Sequence, residues 1–259
     1  MRAPVVVLLL TAFFCGLCRA SEKVVDIPTR AGVTQRFLLI SPPEAKAAVI
    51  LFAGGHGGLQ MDKTGALQWG KGNFLVRTAP LFASQQLAVA IIDAPSDRQS
   101  YPHLSGFRQT AEHAADVKAV IAWLRENTKL PVWLIGTSRG TQSAAAVATR
   151  FTGDDGPNGL VLTATVVVDS RERPVTDMAV DTLKIPVLVV HHEQDGCRIT
   201  LYRDVPRLMG KLTAAARKEL VTFRGGGNRG DPCEAWAYHG FNGLEKDVVE
   251  RIAGWMTAK

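Results

Sequence analysis

Gly136-Thr137-Ser138-Arg139-Gly140 sets a hydroxyl between two glycines, directly after the apolar run 131–135 and before the small residues 143–146. This is the order of a strand, a sharp turn and a closely packed helix. Such a turn leaves no room for side chains at its flanks, and it lifts the central hydroxyl to a sheet edge with a helix N-terminus behind it. Ser138 is the candidate nucleophile. A serine hydroxyl attacks well only when a base removes its proton, and imidazole titrates in the range that suits the task. Behind an elbow of this kind the chain order is nucleophile, acid, histidine. His56, His103 and His113 precede Ser138, while His191 and His192 end an apolar run. That leaves His239, in Tyr238-His239-Gly240-Phe241, on a loop just ahead of the last amphipathic segment.

The acid that fixes the imidazole tautomer should follow a strand. Asp195 does so, in His192-Glu193-Gln194-Asp195-Gly196-Cys197, and is the assigned orienter; Asp169, at the end of the preceding apolar run, and Glu193 are its rivals. A tetrahedral oxyanion needs preorganised donors. The backbone N–H of Arg139, following the nucleophile, is one. The second is expected from the glycine-rich stretch Ala53-Gly54-Gly55-His56-Gly57-Gly58, with Gly55 first and His56 next. That stretch is a poor phosphate cradle, since no Gly-Lys-Ser/Thr follows it and the third glycine of a dinucleotide fingerprint is missing. His56, Trp69 and Arg98 lie on loops beyond strand ends and are candidates to line a substrate cleft, although ordinary surface turns would place them equally well. No third ligand stands at useful spacing from His191 and His192, so no metal site is assigned.

These residues need a scaffold. Short β-branched runs at 36–40, 47–52, 88–93, 132–135, 160–168, 187–191 and 219–223 alternate with segments of helical period at 74–86, 110–127, 141–150, 205–217 and 244–256. The alternation predicts an α/β fold, a mostly parallel sheet with helices on both faces. In 110–127, Ala114, Val117, Val120, Ile121 and Leu124 recur on one face, which packs on the sheet. Glycine clusters sit at 54–58 and 225–227, at strand ends where ligands bind in such folds. The stretch 169–185 is too short for a large cap domain, which predicts an accessible site.

At 259 residues, 46% hydrophobic and 21% charged, the chain builds one substantial core. Arg2, the apolar run 5–14 and small residues near Ala20 describe a cleavable signal peptide over 1–20, with an uncleaved N-terminal anchor as the alternative. The mature segment 21–259 is then a single domain, periplasmic or secreted, with no stable membrane insertion. Removing Arg2 and Arg19 from the 30 Lys+Arg leaves 28 against 24 Asp+Glu, a net charge of +4 without a basic run, so no nucleic-acid partner is expected. Cys197 and Cys233 would remain as a pair in an oxidising compartment, and are expected to form a disulfide tying the acid loop to the histidine loop.

On the Gly136–Gly140 elbow, the Asp195 turn and the His239 loop, the chain from Thr34 onward resembles the α/β-hydrolase superfamily, within it the small lidless group similar to dienelactone hydrolases and bacterial carboxylesterases. The resemblance implies hydrolysis of a small-molecule carboxylic ester through an acyl-enzyme, without a cofactor. It departs from true dienelactone hydrolases, which use a cysteine nucleophile, and from the usual His-Gly-Gly-Gly order of the oxyanion loop. The same scaffold carries thioesterases and peptidases, and it can serve as a non-catalytic exported binding protein; these are the alternative readings.

Overall fold

The computed structural model describes residues 20–258. Apart from Ala20, the expected leader lies outside them. Five strands are buried along their whole length: β3 (Ala47–Phe52), β4 (Leu87–Ile92), β5 (Val132–Thr137), β6 (Gly159–Thr163) and β7 (Val187–His192). Their near-continuous apolar sequences are what a strand covered on both faces requires. With β1 (Ser21–Arg30), β2 (Val33–Ser41) and β8 (Lys218–Phe223) they form one eight-stranded sheet in the order β1-β2-β4-β3-β5-β6-β7-β8. β1 and β2 pair antiparallel, as do β2 and β4; every other pairing is parallel.

Two apolar layers close the sheet. Helices α3 (Ala111–Thr128), α4 (Gly140–Arg150) and α5 (Val205–Lys211) pack on one face, around Val117, Leu124, Ala145 and Leu208. Helices α1 (Phe74–Arg77), α2 (Ala79–Ser84) and α6 (Glu245–Thr257) pack on the other, around Phe74, Phe82, Val249 and Ile252. β3 has β4 on one side and β5 on the other, so the chain order reverses there and the loops after β3 and β5 part to leave a crevice at the carboxyl ends of the strands. Among the described residues the link from β6 to β7 carries just two 3-10 turns, Val175–Asp177 and Val180–Thr182, and no cap domain. No helix among them is long and apolar enough to cross a membrane.

Three expected elements are cut short and one strand is not anticipated by the sequence, each for a local reason. β1 went unread because its charged, half-exposed sequence SEKVVDIPTR is that of an edge strand, with a register slip between Pro28 and Arg30. The helix expected over 74–86 breaks at Thr78, because Pro80 has no N–H to continue the ladder. The strand expected over 160–168 stops at Thr163, where Ala164 turns to φ +42° and the Thr165 N–H leaves the ladder for His191 Nε2. The helix expected over 205–217 ends at Lys211, just past Gly210.

Candidate active site

Ser138 stands at the carboxyl end of β5 with φ +51°, a conformation few side chains adopt. The turn around it has no slack. A β-carbon on Gly136 would come within 2.5 Å of the Gly140 carbonyl, and one on Gly140 would overlap the Phe52 carbonyl of β3. The Ser138 N–H donates to the Thr163 carbonyl at 3.0 Å, and the Thr141 N–H donates to the Ser138 carbonyl at 2.9 Å, so neighbouring strand and following helix both hold the elbow. Its side chain opens onto a cavity of about 240 Å³ lined also by His239, Gly54, Gly55, Trp69 and Trp236. Among the described residues no hydrogen bond joins the Ser138 hydroxyl to His239; the two share the cavity wall.

His239 lies in the 3-10 turn Tyr238–Gly240, whose shape depends on its neighbours. A β-carbon on Gly240 would strike the Ala235 carbonyl, and Phe241, at φ +54°, is buried against Phe74 and Phe223 at ring separations of 5.0 and 6.2 Å. The buried ring donates from Nδ1 to Asp195 Oδ2 at 3.0 Å. Asp195 accepts further from the Cys197 N–H at 2.9 Å and the Thr200 hydroxyl at 2.9 Å, and the Thr200 oxygen stands 3.1 Å from His239 Nδ1. Burial pushes the Asp195 carboxyl up, but the His239 hydrogen bond and charge, His191 and the Cys197 N–H outweigh it and hold the group below the ordinary aspartate range.

The two rivals for the acid are engaged elsewhere. Asp169 accepts from the Arg139 guanidinium at 2.7 Å, and Glu193 accepts from the Thr222 hydroxyl at 3.0 Å and from Arg224. His191 and His192 are strand-end residues. His191 Nε2 accepts from the Thr165 N–H, and burial brings its pKa down to about 4; His192 stacks on Tyr238 at 4.4 Å. Cys197 and Cys233 form the expected disulfide, their α-carbons 4.5 Å apart, so the acid loop and the segment leading to His239 are joined covalently.

Across the cavity, Gly55 takes φ +55°, and a β-carbon there would sit 2.6 Å from the Trp69 ring. Among the described residues neither the Gly55 N–H nor the Arg139 N–H donates a hydrogen bond. Trp69 lines the cavity as expected; the other two cleft candidates do not. His56 stands behind Trp69, sandwiched between it at 3.8 Å and His103 at 4.3 Å, with Nδ1 accepting the Gly58 N–H. Arg98 lies against Phe107, 4.4 Å from its ring centre, because the turn Ser96–Arg98 directs it away from the crevice.

Sequence reasoning missed four supports. Asp93, at the end of β4, accepts from the N–H groups of Leu59, Gln60 and Met61 and anchors the far end of the glycine loop. Arg108 grips the loop's near end from beneath. Thr200 completes the Asp195–His239 cluster, and Trp236, half exposed, forms the outer cavity wall with the Arg77 guanidinium 4.8 Å over its ring. None belongs to a spaced motif; the one available signal was a tryptophan three residues before the candidate base.

No protein-family model and no curated protein matches the chain. Solved structures do. A cold-adapted esterase from an Arctic intertidal metagenomic library is 19% identical, with 92% of this chain and 94% of that one covered at a TM-score of 0.59. A Pyrococcus furiosus esterase is 13% identical over 92% of each chain at 0.66. A dienelactone hydrolase from Anabaena variabilis is 14% identical over 92% of this chain and 97% of its own at 0.61. With the sheet order, the elbow after β5 and the acid and histidine after β7 and β8, these likenesses show that the chain has the α/β-hydrolase fold.

Proposed function

We propose that the protein is a serine hydrolase that cleaves a small-molecule carboxylic ester through an acyl-enzyme. The observation that carries this reading is a hydroxyl held at positive φ on a glycine-flanked bend, opening onto a cavity whose wall includes an imidazole bonded to a buried carboxylate. The esterases and hydrolases among its structural neighbours support the same reaction class.

In this mechanism the substrate carbonyl carbon lies against Ser138 Oγ. His239 Nε2 takes the hydroxyl proton as Oγ forms the new C–O bond, and the carbonyl electron pair moves to oxygen. The imidazolium is stabilised by Asp195, whose buried carboxylate stays ionised and keeps the proton of Nδ1 in place. The N–H groups of Arg139 and Gly55 receive the oxyanion. Collapse expels the alcohol, which leaves with the proton from Nε2; a water then repeats the sequence on the acyl-enzyme and restores Ser138. The scheme needs no cofactor.

Ser138→Ala should lower the turnover of short-chain p-nitrophenyl esters by about 10⁶-fold, to the level left by binding alone. Turnover retained in that variant refutes the reading.

The same proposal extends to the whole chain. Residues 1–20 act as a leader removed on export, and 21–259 work as one domain in the periplasm or outside the cell, where a disulfide persists. The mass of the protein recovered from the cell envelope or medium should match a chain beginning at Ser21; a chain retaining Met1 or Arg2 contradicts it.

A further inference from the structure

Arg108 is 1% exposed and has no carboxylate within hydrogen-bond range among the described residues. Its guanidinium is spent on three consecutive backbone carbonyls: Nη2 donates to Ala53 at 3.1 Å, to Gly54 at 3.4 Å and to Gly55 at 3.1 Å. Nη1 donates to the hydroxyl of Ser143 in α4 at 3.0 Å. Burial lowers its pKa to about 10, so it stays charged at neutral pH, with Glu172 and Arg139 the charges nearest in effect. A buried cation without an anionic partner is an expensive element of a fold, and such elements cluster where a site demands them.

Peptide planarity gives the demand a direction. In a trans peptide the C=O and the following N–H point to opposite sides. With the carbonyls of Ala53, Gly54 and Gly55 drawn down to Arg108, the N–H groups of Gly54, Gly55 and His56 point the other way. Gly54 and Gly55 line the cavity and Arg108 does not, so that other way is toward the cavity that Ser138 also lines. Gly57 makes room for the arrangement: a β-carbon there would overlap Arg108 Nη2. Through Ser143 the same side chain also holds α4, whose first turn follows the Arg139 N–H.

We infer that Arg108 is the positioning residue of the oxyanion site, fixing the Gly54–Gly55 peptide and helix α4 in one frame so that donors from two separate chain segments converge on one oxygen. The inference rests on the ester-hydrolase reading. Its effect belongs to the transition state, because a donor displaced by about 1 Å weakens charge stabilisation more than it weakens ground-state binding.

Arg108→Lys keeps the charge but loses the fork, and Arg108→Met keeps the bulk. Both should lower kcat about 10- to 100-fold with KM within about threefold of the wild type. Affinity for a trifluoromethyl ketone, to which Ser138 Oγ adds to give a tetrahedral oxyanion, should weaken by a similar factor. Circular dichroism melts establish that the variants are folded. Should neither fold, Ser143→Ala removes one of the anchoring bonds and should cost severalfold in kcat and in ketone affinity. Folded variants with wild-type kcat and ketone affinity, or a loss confined to KM, overturn the inference. Failure of the underlying reading is seen separately, as wild-type protein whose turnover survives Ser138→Ala.

Discussion

The two walls of the cavity are built on opposite plans. The acid–histidine wall is held by side chains whose chemistry is narrow: a disulfide, a carboxylate with three donors, a threonine hydroxyl and an imidazole, all within 195–200 and 233–239. The glycine wall, the proposed oxyanion side, is backbone, 53–59, and what holds it comes from distant chain: Arg108 from below, Asp93 at its far end, and the Trp69–His56–His103 stack at its side. A side chain that performs chemistry restricts its own identity, whereas a backbone donor can be held by any residue that reaches the opposite carbonyl.

The largest blow to the first wall is loss of the orienting acid. Asp195→Asn should reduce kcat by about 10⁴-fold, since the amide favours the wrong imidazole tautomer; steady-state kinetics on a p-nitrophenyl ester checks it. Cutting the covalent tie is next. The double substitution Cys197→Ser, Cys233→Ser should lower unfolding free energy in urea by about 3 to 4 kcal/mol, as expected for a loop closed over a separation of 36 residues. On the opposite wall, Gly55→Ala adds a β-carbon that meets Trp69 at a backbone angle only glycine adopts easily, and should cost about 100-fold in kcat while leaving the disulfide intact.

Per pH unit, the smallest effect concerns a buried ring beneath that wall. His113 lies between Phe52 and Phe107 with neither ring nitrogen hydrogen-bonded among the described residues, and burial brings its pKa down to about 3. The unfolded chain takes up the proton near pH 6.5 while the folded one refuses it, so the stability from neutral His113 is complete above that pH and is lost as pH falls toward 3. His191, brought down to about 4, acts in the same sense. His113→Leu should flatten the acid limb of stability by up to about 1.4 kcal/mol per pH unit between 6.5 and 3. Urea melts at pH 7 and 5 that fall in parallel for both proteins would contradict it.

The contrast also accounts for what was legible in the sequence. The five buried strands announced themselves as uncharged β-branched runs, and the elbow by its paired glycines. His239 was singled out by elimination and Asp195 by its place after an apolar run, and the two side chains lie in hydrogen-bond contact. β1 was illegible because an edge strand keeps its charges, and Arg108 because one arginine ahead of a helix carries no periodic signal. His56 and Arg98 were misplaced as cleft residues since loop position alone does not say which way a side chain turns; ring stacking took both elsewhere. Which of Asp169 and Asp195 meets the His239 ring is a matter of side-chain contact that sequence position does not give: Asp169 pairs with Arg139 and Asp195 with His239.

The central claim is that the Ser138 hydroxyl is made nucleophilic by His239 across the shared cavity. Labelling folded protein with a fluorophosphonate and mapping the adduct by mass spectrometry tests it directly. The account predicts one adduct, on Ser138, forming rapidly in the wild type and at least 10³-fold more slowly in His239→Ala. An adduct elsewhere, or labelling of Ser138 at the same rate without the imidazole, would contradict it.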